Sequence, residues 1–322
     1  MSYKYKRPYP VADWKGKLKE IVFEFQTRRF TGKQKFKVSN ATTKKRSGVI
    51  FLCFTQIREG GFKLNDPLNI KPKHVIYLVN LWLENNLSPS TITNRISIMK
   101  LFTEFIGKPG LVLSPEEYVM DKTLVKRNYV NEDDKSWKAK EIDAEQIAQQ
   151  AIEIDPYSGH QILLMMNFGL RLKEAVSMKP FKSDYGEHLL VMDGTKGGRT
   201  RIVPIDSPSK RFIVDSCKKL VSTIDKNMCA PERRIEQEIN RLYYVMKLLG
   251  ITQNQLGLTA HGLRHQYLND RYEEVAGHPS PVIGGTIIDH EKDNHARLVT
   301  MLEAGHGRVK VGAAYYGSSK VK

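Results

Sequence analysis

Cysteine is scarce in this 322-residue chain, and what there is cannot form a framework. Cys53, Cys217 and Cys229 are odd in number and lack any CxxC spacing, which argues against both a disulfide scaffold and a thiolate zinc site; reduced, buried or half-buried thiols are expected. Long apolar runs are missing too. The longest, VIFLCF at 49–54, is far too short to cross a bilayer, and no charged–apolar–small signal pattern opens the chain, so a cytoplasmic protein without membrane contact is expected. There is no internal repeat and no low-complexity tract. Negative charge is in short supply: 35 Asp and Glu stand against 51 Lys and Arg, a formal net charge of +16. Such an excess argues chiefly about partners, with nucleic acid first and an anionic membrane second.

The excess sits at one end. Residues 1–100 carry 20 Lys and Arg against 6 Asp and Glu, whereas residues 143–322 carry 24 against 21. RRFTGKQKFK (28–37) and TKKRSG (43–48) mix cations with aromatic and small polar residues, as segments that contact a phosphate backbone do. LKEIVFEFQTRRF permits a helix, and about 42–58 is amphipathic. In 71–86, Val75, Leu78, Val79 and Trp82 recur at helical spacing after a proline. LSPSTITNRISIMKLFTEFIGKPG supplies Ser88 and Ser90 as cap candidates, an apolar stripe of Ile92, Ile96, Met99, Phe102 and Phe105 or Ile106, and a stop at Gly107 and Pro109. A helical bundle over 1–127 is expected, then a linker at 128–142, where KRNYVNEDDKSWKAKEI is polar and aperiodic, and a second domain over 143–322.

In that second domain Asp143 with Gln146 resembles a capping box, and SGHQILLMMNFGL begins a helix apolar nearly all round. The period then changes: HLLVMD, GTKGGRT and RIVPI read as two short strands joined by a Gly-rich turn, with Lys196 near its tip. Helices return at about 208–222 and 233–248, in the HGLRH segment, around 292–304 and at 308–316. The fold class is therefore mainly α with one small β-hairpin.

TAHGLRHQYLND (259–270) poses the chemical question, since His261 and His265 lie four apart on one helix face. A zinc peptidase site would need HExxH, with a glutamate where this chain has Gly262, and Arg264 inside the motif opposes a divalent ion. A phosphate clamp fits better, and neither metal nor cofactor is expected. GLRLKEA (169–175), TKGGRTR (195–201), HGLRH (261–265) and EAGHGRVKVGAAYYG (303–317) must be explained together. Cleaving a phosphodiester without a metal takes a nucleophile, cations on the non-bridging oxygens and an acid for the leaving oxygen. Arginine suits the second role because its planar fork grips two oxygens and stays charged.

In order and spacing these four motifs closely resemble the tyrosine recombinases, or phage-type integrases, over roughly 143–317. Less specifically, the LSPSTITNRISIMKLF segment looks like that family's N-terminal DNA-clamping bundle. The resemblance implies a metal-free recombinase acting through a 3′-phosphotyrosine and a Holliday junction, four copies on two double-stranded DNA sites, the two domains closing as a clamp, for integration, excision or resolution of a mobile element. Accessory DNA-bending or directionality proteins are further candidate partners. It implies Arg171 and Arg264 as phosphate clamps, Lys196 as proton donor to the leaving oxygen, His261 and His306 on the phosphate, and a tyrosine nucleophile for which Tyr315, nine residues after His306, has the family spacing, with Tyr316, ten residues after it, as the alternative and otherwise packing. Glu174 and His265 are read as supporting residues. Candidates for DNA contact are Arg28, Arg29, Lys33, Lys35, Lys44, Lys45, Arg46, Thr91, Asn94, Arg95, Arg199 and Arg201.

Two departures are visible. Only six residues follow Tyr316, fewer than many relatives carry, so either another surface serves assembly control or the chain is an abbreviated form; and 276–294 is longer and richer in Gly and Pro than the usual link, either a protein-contacting loop or an inert insertion. The alternatives are a type IB topoisomerase-like enzyme, with the same chemistry and no partner exchange, and a non-catalytic DNA-binding protein that keeps the fold.

Overall fold

Apolar residues three and four apart decide the first unit. The structure, a computed structural model, describes residues 13–27 and 40–319, and divides into two compact units, 1–128 and 129–322. In the first, α1 (Trp14–Thr27) buries Leu18, Ile21, Val22 and Phe25, and α2 (Asn40–Glu59) buries Ile50, Cys53, Phe54 and Ile57. α3 (Pro72–Glu84) adds Val75, Leu78, Val79 and Trp82, and α4 (Pro89–Phe105) adds Ile92, Ile96, Met99 and Phe102. Phe102 takes Phe25 and Phe54 edge-on, with centroids 6.1 and 5.6 Å away, a preferred arrangement for ring quadrupoles. The Ser88 hydroxyl accepts from the Thr91 N–H at 3.3 Å and caps α4, while Gly107, at φ +81°, ends it; both Phe105 and Ile106 are buried.

In the second unit the Asp143 carboxylate accepts from the N–H groups of Glu145 and Gln146 to cap α5 (Ala144–Ile154). α6 (Pro156–Phe168) is buried along most of its circumference, as its apolar sequence requires. The segments α7 (Leu172–Ser177) and α8 (Pro180–Ser183) are short. β1 (His188–Val191) and β2 (Arg201–Pro204) pair antiparallel in the register Leu189 with Val203, and a nine-residue tip, 192–200, joins them. α9 (Pro208–Val221), α10 (Ile235–Leu248), the one-turn α11 (Gln253–Leu256), α12 (Ala260–Ala276), α13 (His290–Glu303) and the one-turn α14 (Ala313–Tyr316) complete the fold. The described residues are thus mainly helical with one two-stranded sheet.

The expected linker needs correcting. Beyond residue 128 it is not a free tether: Trp137 is fully buried, its indole N–H donates to the Thr259 carbonyl at 2.9 Å, and the Lys138 N–H donates to the Gln266 side chain. Gly262 is the counterpart, since a Cβ there would come within 2.6 Å of the Lys135 carbonyl and 2.9 Å of the Trp137 ring. One tryptophan in a polar stretch has no period, so pattern reading passes over it. The three cysteines are buried and free, and burial pushes the Cys53 and Cys217 thiols up to about 12. No described helix is long and apolar enough to cross a membrane.

Candidate active site

The site is built around one buried carboxylate. Glu174, fully buried on α7, accepts both Nη donors of Arg201 at 2.8 and 2.6 Å, and also accepts from Arg171 Nη1 and from the Arg171 backbone N–H, each at 2.7 Å. Burial pushes its carboxyl up, but the hydrogen bonds and charge of Arg201, and then Arg171, outweigh that and hold the pKa below the usual carboxylate range. Arg171 Nη2 points to the Ala304 carbonyl at 3.2 Å and to His306 Nε2 at 3.3 Å. Glu174 therefore orients two arginines at once and leaves the group with more positive than negative charge.

Arg264 enters from α12 and is 1% exposed. One Nη donates to the Gly169 carbonyl and the other to the Ala304 carbonyl at 2.6 Å, so Ala304 is shared with Arg171. Gly169 makes this possible: it closes α6 at φ +57°, a conformation glycine adopts without cost, and a Cβ there would sit 2.3 Å from the Tyr267 ring. The Arg264 pKa is lowered, first by burial and then by Arg171 and Arg201, with Tyr315 opposing; its Nε has no hydrogen-bond partner among the described residues. A cluster short of negative charge with an unclaimed donor suits an anion.

His306 lies between the arginines and a phenol, its Nε2 3.3 Å from Arg171 Nη2 and 3.4 Å from the Tyr315 hydroxyl. Burial pushes its pKa down to about 4, helped by Arg264, Arg171 and Lys196. His261 keeps an exposed edge, yet the protein around its ring lowers it to about 4 as well, with Arg264 and Arg171 adding to the effect. His265, buried, is pushed to about 3 by burial and then by His261, with its Nδ1 unpartnered among the described residues. All three rings are therefore neutral near pH 7, able to donate one N–H and to accept one proton.

Three histidines surround one tyrosine. The Tyr315 ring centroid is 4.7 Å from His265, 5.7 Å from His306 and 6.1 Å from His261, and the Arg264 guanidinium carbon lies 5.9 Å from it. Tyr316 turns the other way: its hydroxyl donates to Thr300 Oγ1 at 2.7 Å, its ring lies tilted against Tyr272 with centroids 4.9 Å apart, and burial raises its pKa. Consecutive helical residues point about 100° apart, so one of the pair faces the site while the other packs in the core.

Lys196 occupies an exposed turn at the hairpin tip, followed by Gly197 and Gly198 at φ +76° and +70°, and its charge reaches His306. Arg199 is exposed beside it and lies against Gly307, where a Cβ would meet its Nη1 at 2.2 Å. Arg201 is a correction: it is 5% exposed and committed to Glu174, because in the strand RIVP the alternation turns Arg201 inward and Ile202 outward. In the first unit Lys44 and Lys45 are exposed and Arg46, Thr91 and Asn94 half-buried. Arg95 is half-buried, its guanidinium laid over Trp82 at 5.3 Å. Arg28, Arg29, Lys33 and Lys35 fall outside the described residues.

Residues 131–270 match the family model described as Integrase. The chain is 26% identical over 117 residues to the tyrosine recombinase XerA of Thermococcus onnurineus; the aligned stretch is 34% of this chain and 40% of that protein's own length. Two solved structures share the fold over nearly the whole chain. A lambda integrase dimer bound to a COC′ core site has a TM-score of 0.61 at 13% identity, over 97% of this chain and 79% of that one. The Tn1549 transposon integrase in complex with circular intermediate DNA has a TM-score of 0.54 at 13% identity, over 94% and 96%. In residues 131–270, which hold three of the four motifs whole, the chain is therefore similar to the integrase family, and in fold it is similar to solved integrases.

Proposed function

We propose that this protein is a site-specific DNA recombinase whose nucleophile is Tyr315. The observation that carries the proposal is His306 Nε2, held at 3.3 Å from Arg171 and 3.4 Å from the Tyr315 hydroxyl, so that phenol, proton acceptor and phosphate clamp share one point. Tyr315 Oη attacks the phosphorus of one DNA strand and the bond from phosphorus to O5′ breaks. The phenolic proton passes to a neutral histidine, His306 being nearest, and Lys196 protonates the departing O5′. Arg171 and Arg264 take the charge that grows on the non-bridging oxygens. The 5′ hydroxyl of a partner strand then attacks the phosphotyrosine phosphorus and gives its proton to Lys196, while the bond from phosphorus to Tyr315 Oη breaks and the histidine returns the phenolic proton, so the bond energy goes back to DNA. The basic first unit, 1–128, is assigned to holding the duplex, and self-assembly on paired sites follows from the need for two strands to exchange; a lambda integrase tetramer bound to a Holliday junction, with a TM-score of 0.60 at 14% identity, has the same fold.

The test is covalent capture in EDTA on nicked duplexes carrying the sequence this protein selects from a random library, with wild type, Tyr315→Phe and Tyr316→Phe side by side. An SDS-resistant adduct lost with Tyr315→Phe and kept with Tyr316→Phe is expected. Loss with Tyr316→Phe alone moves the nucleophile by one residue, and no adduct from wild type on DNA it binds overturns the enzymatic reading. Junctions formed from two such duplexes separate a recombinase from a topoisomerase-like enzyme.

A further inference from the structure

The tyrosine stands on a helix that cannot hold itself. α14 is a single turn, and one turn fixes several residues for almost no internal hydrogen bonding. It is followed by Gly317 at φ +79°, ψ −168°, a region essentially closed to other residues. The geometry of Tyr315 must come from elsewhere, and the structure names the source. Three alternate carbonyls of the turn are each taken by a different element: Ala313 by the Asn131 N–H at 2.9 Å, Tyr315 by Asn269 Nδ2 at 3.3 Å, and Gly317 by Arg297 Nη1 at 3.1 Å.

The two side chains in that set are buried and fixed in turn. Asn269, 3% exposed on α12, also donates to the His265 carbonyl at 2.9 Å, and its Oδ1 accepts from Ser280, which is fully buried in the 276–294 segment. Arg297, 4% exposed on α13, is gripped through Nε by both oxygens of fully buried Asp293 at 2.9 and 3.0 Å, and Tyr272 donates to the same carboxylate at 2.5 Å. Its guanidinium also lies 5.6 Å from the Tyr316 ring centroid. A buried ion pair is a poor way to gain stability but a good way to fix one geometry. Beside Gly317 lies a cavity of about 420 Å³, bordered by Asn131, Pro281 and Val282, which gives an unheld turn room to shift.

We propose that Asn269 and Arg297, the latter aimed by Asp293, are positioning residues for the tyrosine: they hold the backbone of its one-turn helix so that the Tyr315 hydroxyl stays beside His306. The proposal rests on Tyr315 being the nucleophile. It gives the 276–294 segment a task, since Ser280 braces Asn269. A displacement of about 1 Å at a reacting atom can cost roughly a hundredfold in rate.

Arg297→Lys keeps the pair with Asp293 but loses the second limb that reaches Gly317; Asn269→Asp keeps the acceptor for Ser280 but replaces both donors by an anion facing two carbonyls. The measurements are the single-turnover cleavage rate at saturating protein on the library-selected nicked duplex, the Kd for that duplex, Tm, and the 19F line of 3-fluorotyrosine placed at 315. Asp155→Asn, which weakens the α6 cap and its pairing with Arg233 and Arg241, serves as a stability control in the same unit. The expected result is a roughly hundredfold slower cleavage for both variants, unchanged Kd and a moved or broadened 19F line, with the control keeping the wild-type rate and line at saturation. Wild-type rates from folded Arg297→Lys, or an equal loss in the control, overturn the proposal. An adduct that survives Tyr315→Phe instead removes the nucleophile assignment on which it rests.

Discussion

Two parts of the same site are built in opposite ways. Arg171, Arg201 and Arg264 are held by Glu174 and by the carbonyls of Gly169 and Ala304, with Arg201 and Arg264 almost wholly buried. Lys196 stands on an exposed turn between strands of four residues, followed by two glycines in left-handed conformations. A group that must stabilise charge gains from being fixed before the reaction begins, because then nothing reorganises as the charge appears. A group that must give a proton to one oxygen has to reach it, and a glycine-bearing tip permits that movement. In the reaction proposed here, that difference separates stabilisation from delivery within one cluster of cations.

The contrast can be broken from the rigid side first. Arg264→Lys keeps the charge but cannot reach both Gly169 and Ala304, and cleavage should slow by about 10²–10³-fold, the scale of losing a preorganised donor. Lys196→Ala, tested by the same single-turnover assay, should slow cleavage by about 10²-fold while the denaturation midpoint stays put, since the residue is exposed and, among the described residues, in no ion pair. Glu174→Gln should slow cleavage by about tenfold by loosening Arg171, and should cost about 3 kcal/mol of stability in urea unfolding because two arginines lose their buried partner.

The smallest effect concerns protons. His261, His306 and His265 have folded-state pKa values pushed to about 4, 4 and 3 from 6.5, so the unfolded chain takes up protons that the folded chain refuses. Their contribution is whole above pH 6.5 and declines as pH falls towards 4. Urea midpoints measured across that window should drop on acidification, and His265→Phe should flatten the slope; a flat wild-type profile would contradict the neutral-ring description.

The motifs were legible because each fixes chemistry by residue type and spacing, and the structure gathers Arg171, His261, Arg264, His306 and Tyr315 around one point from elements up to 144 residues apart. The amphipathic helices were legible for the same reason, through period. What stayed hidden lacks a period. Arg201 reads as a candidate for DNA contact, but the alternation of a four-residue strand turns it inward. Trp137 anchors a segment whose sequence looks like solvent-facing linker, and Asn269 and Arg297 bind backbone carbonyls, which leave no mark in the sequence at the far end of the contact.

The division between fixed charge and mobile acid is tested most directly by single-turnover cleavage of a duplex whose scissile O5′ is replaced by sulfur, comparing Lys196→Ala with Arg264→Lys. A thiolate departs without a proton, so Lys196→Ala should recover to near the wild-type rate while Arg264→Lys stays slow. Recovery of both variants, or of neither, would contradict the assignment of delivery to the hairpin and stabilisation to the buried arginines.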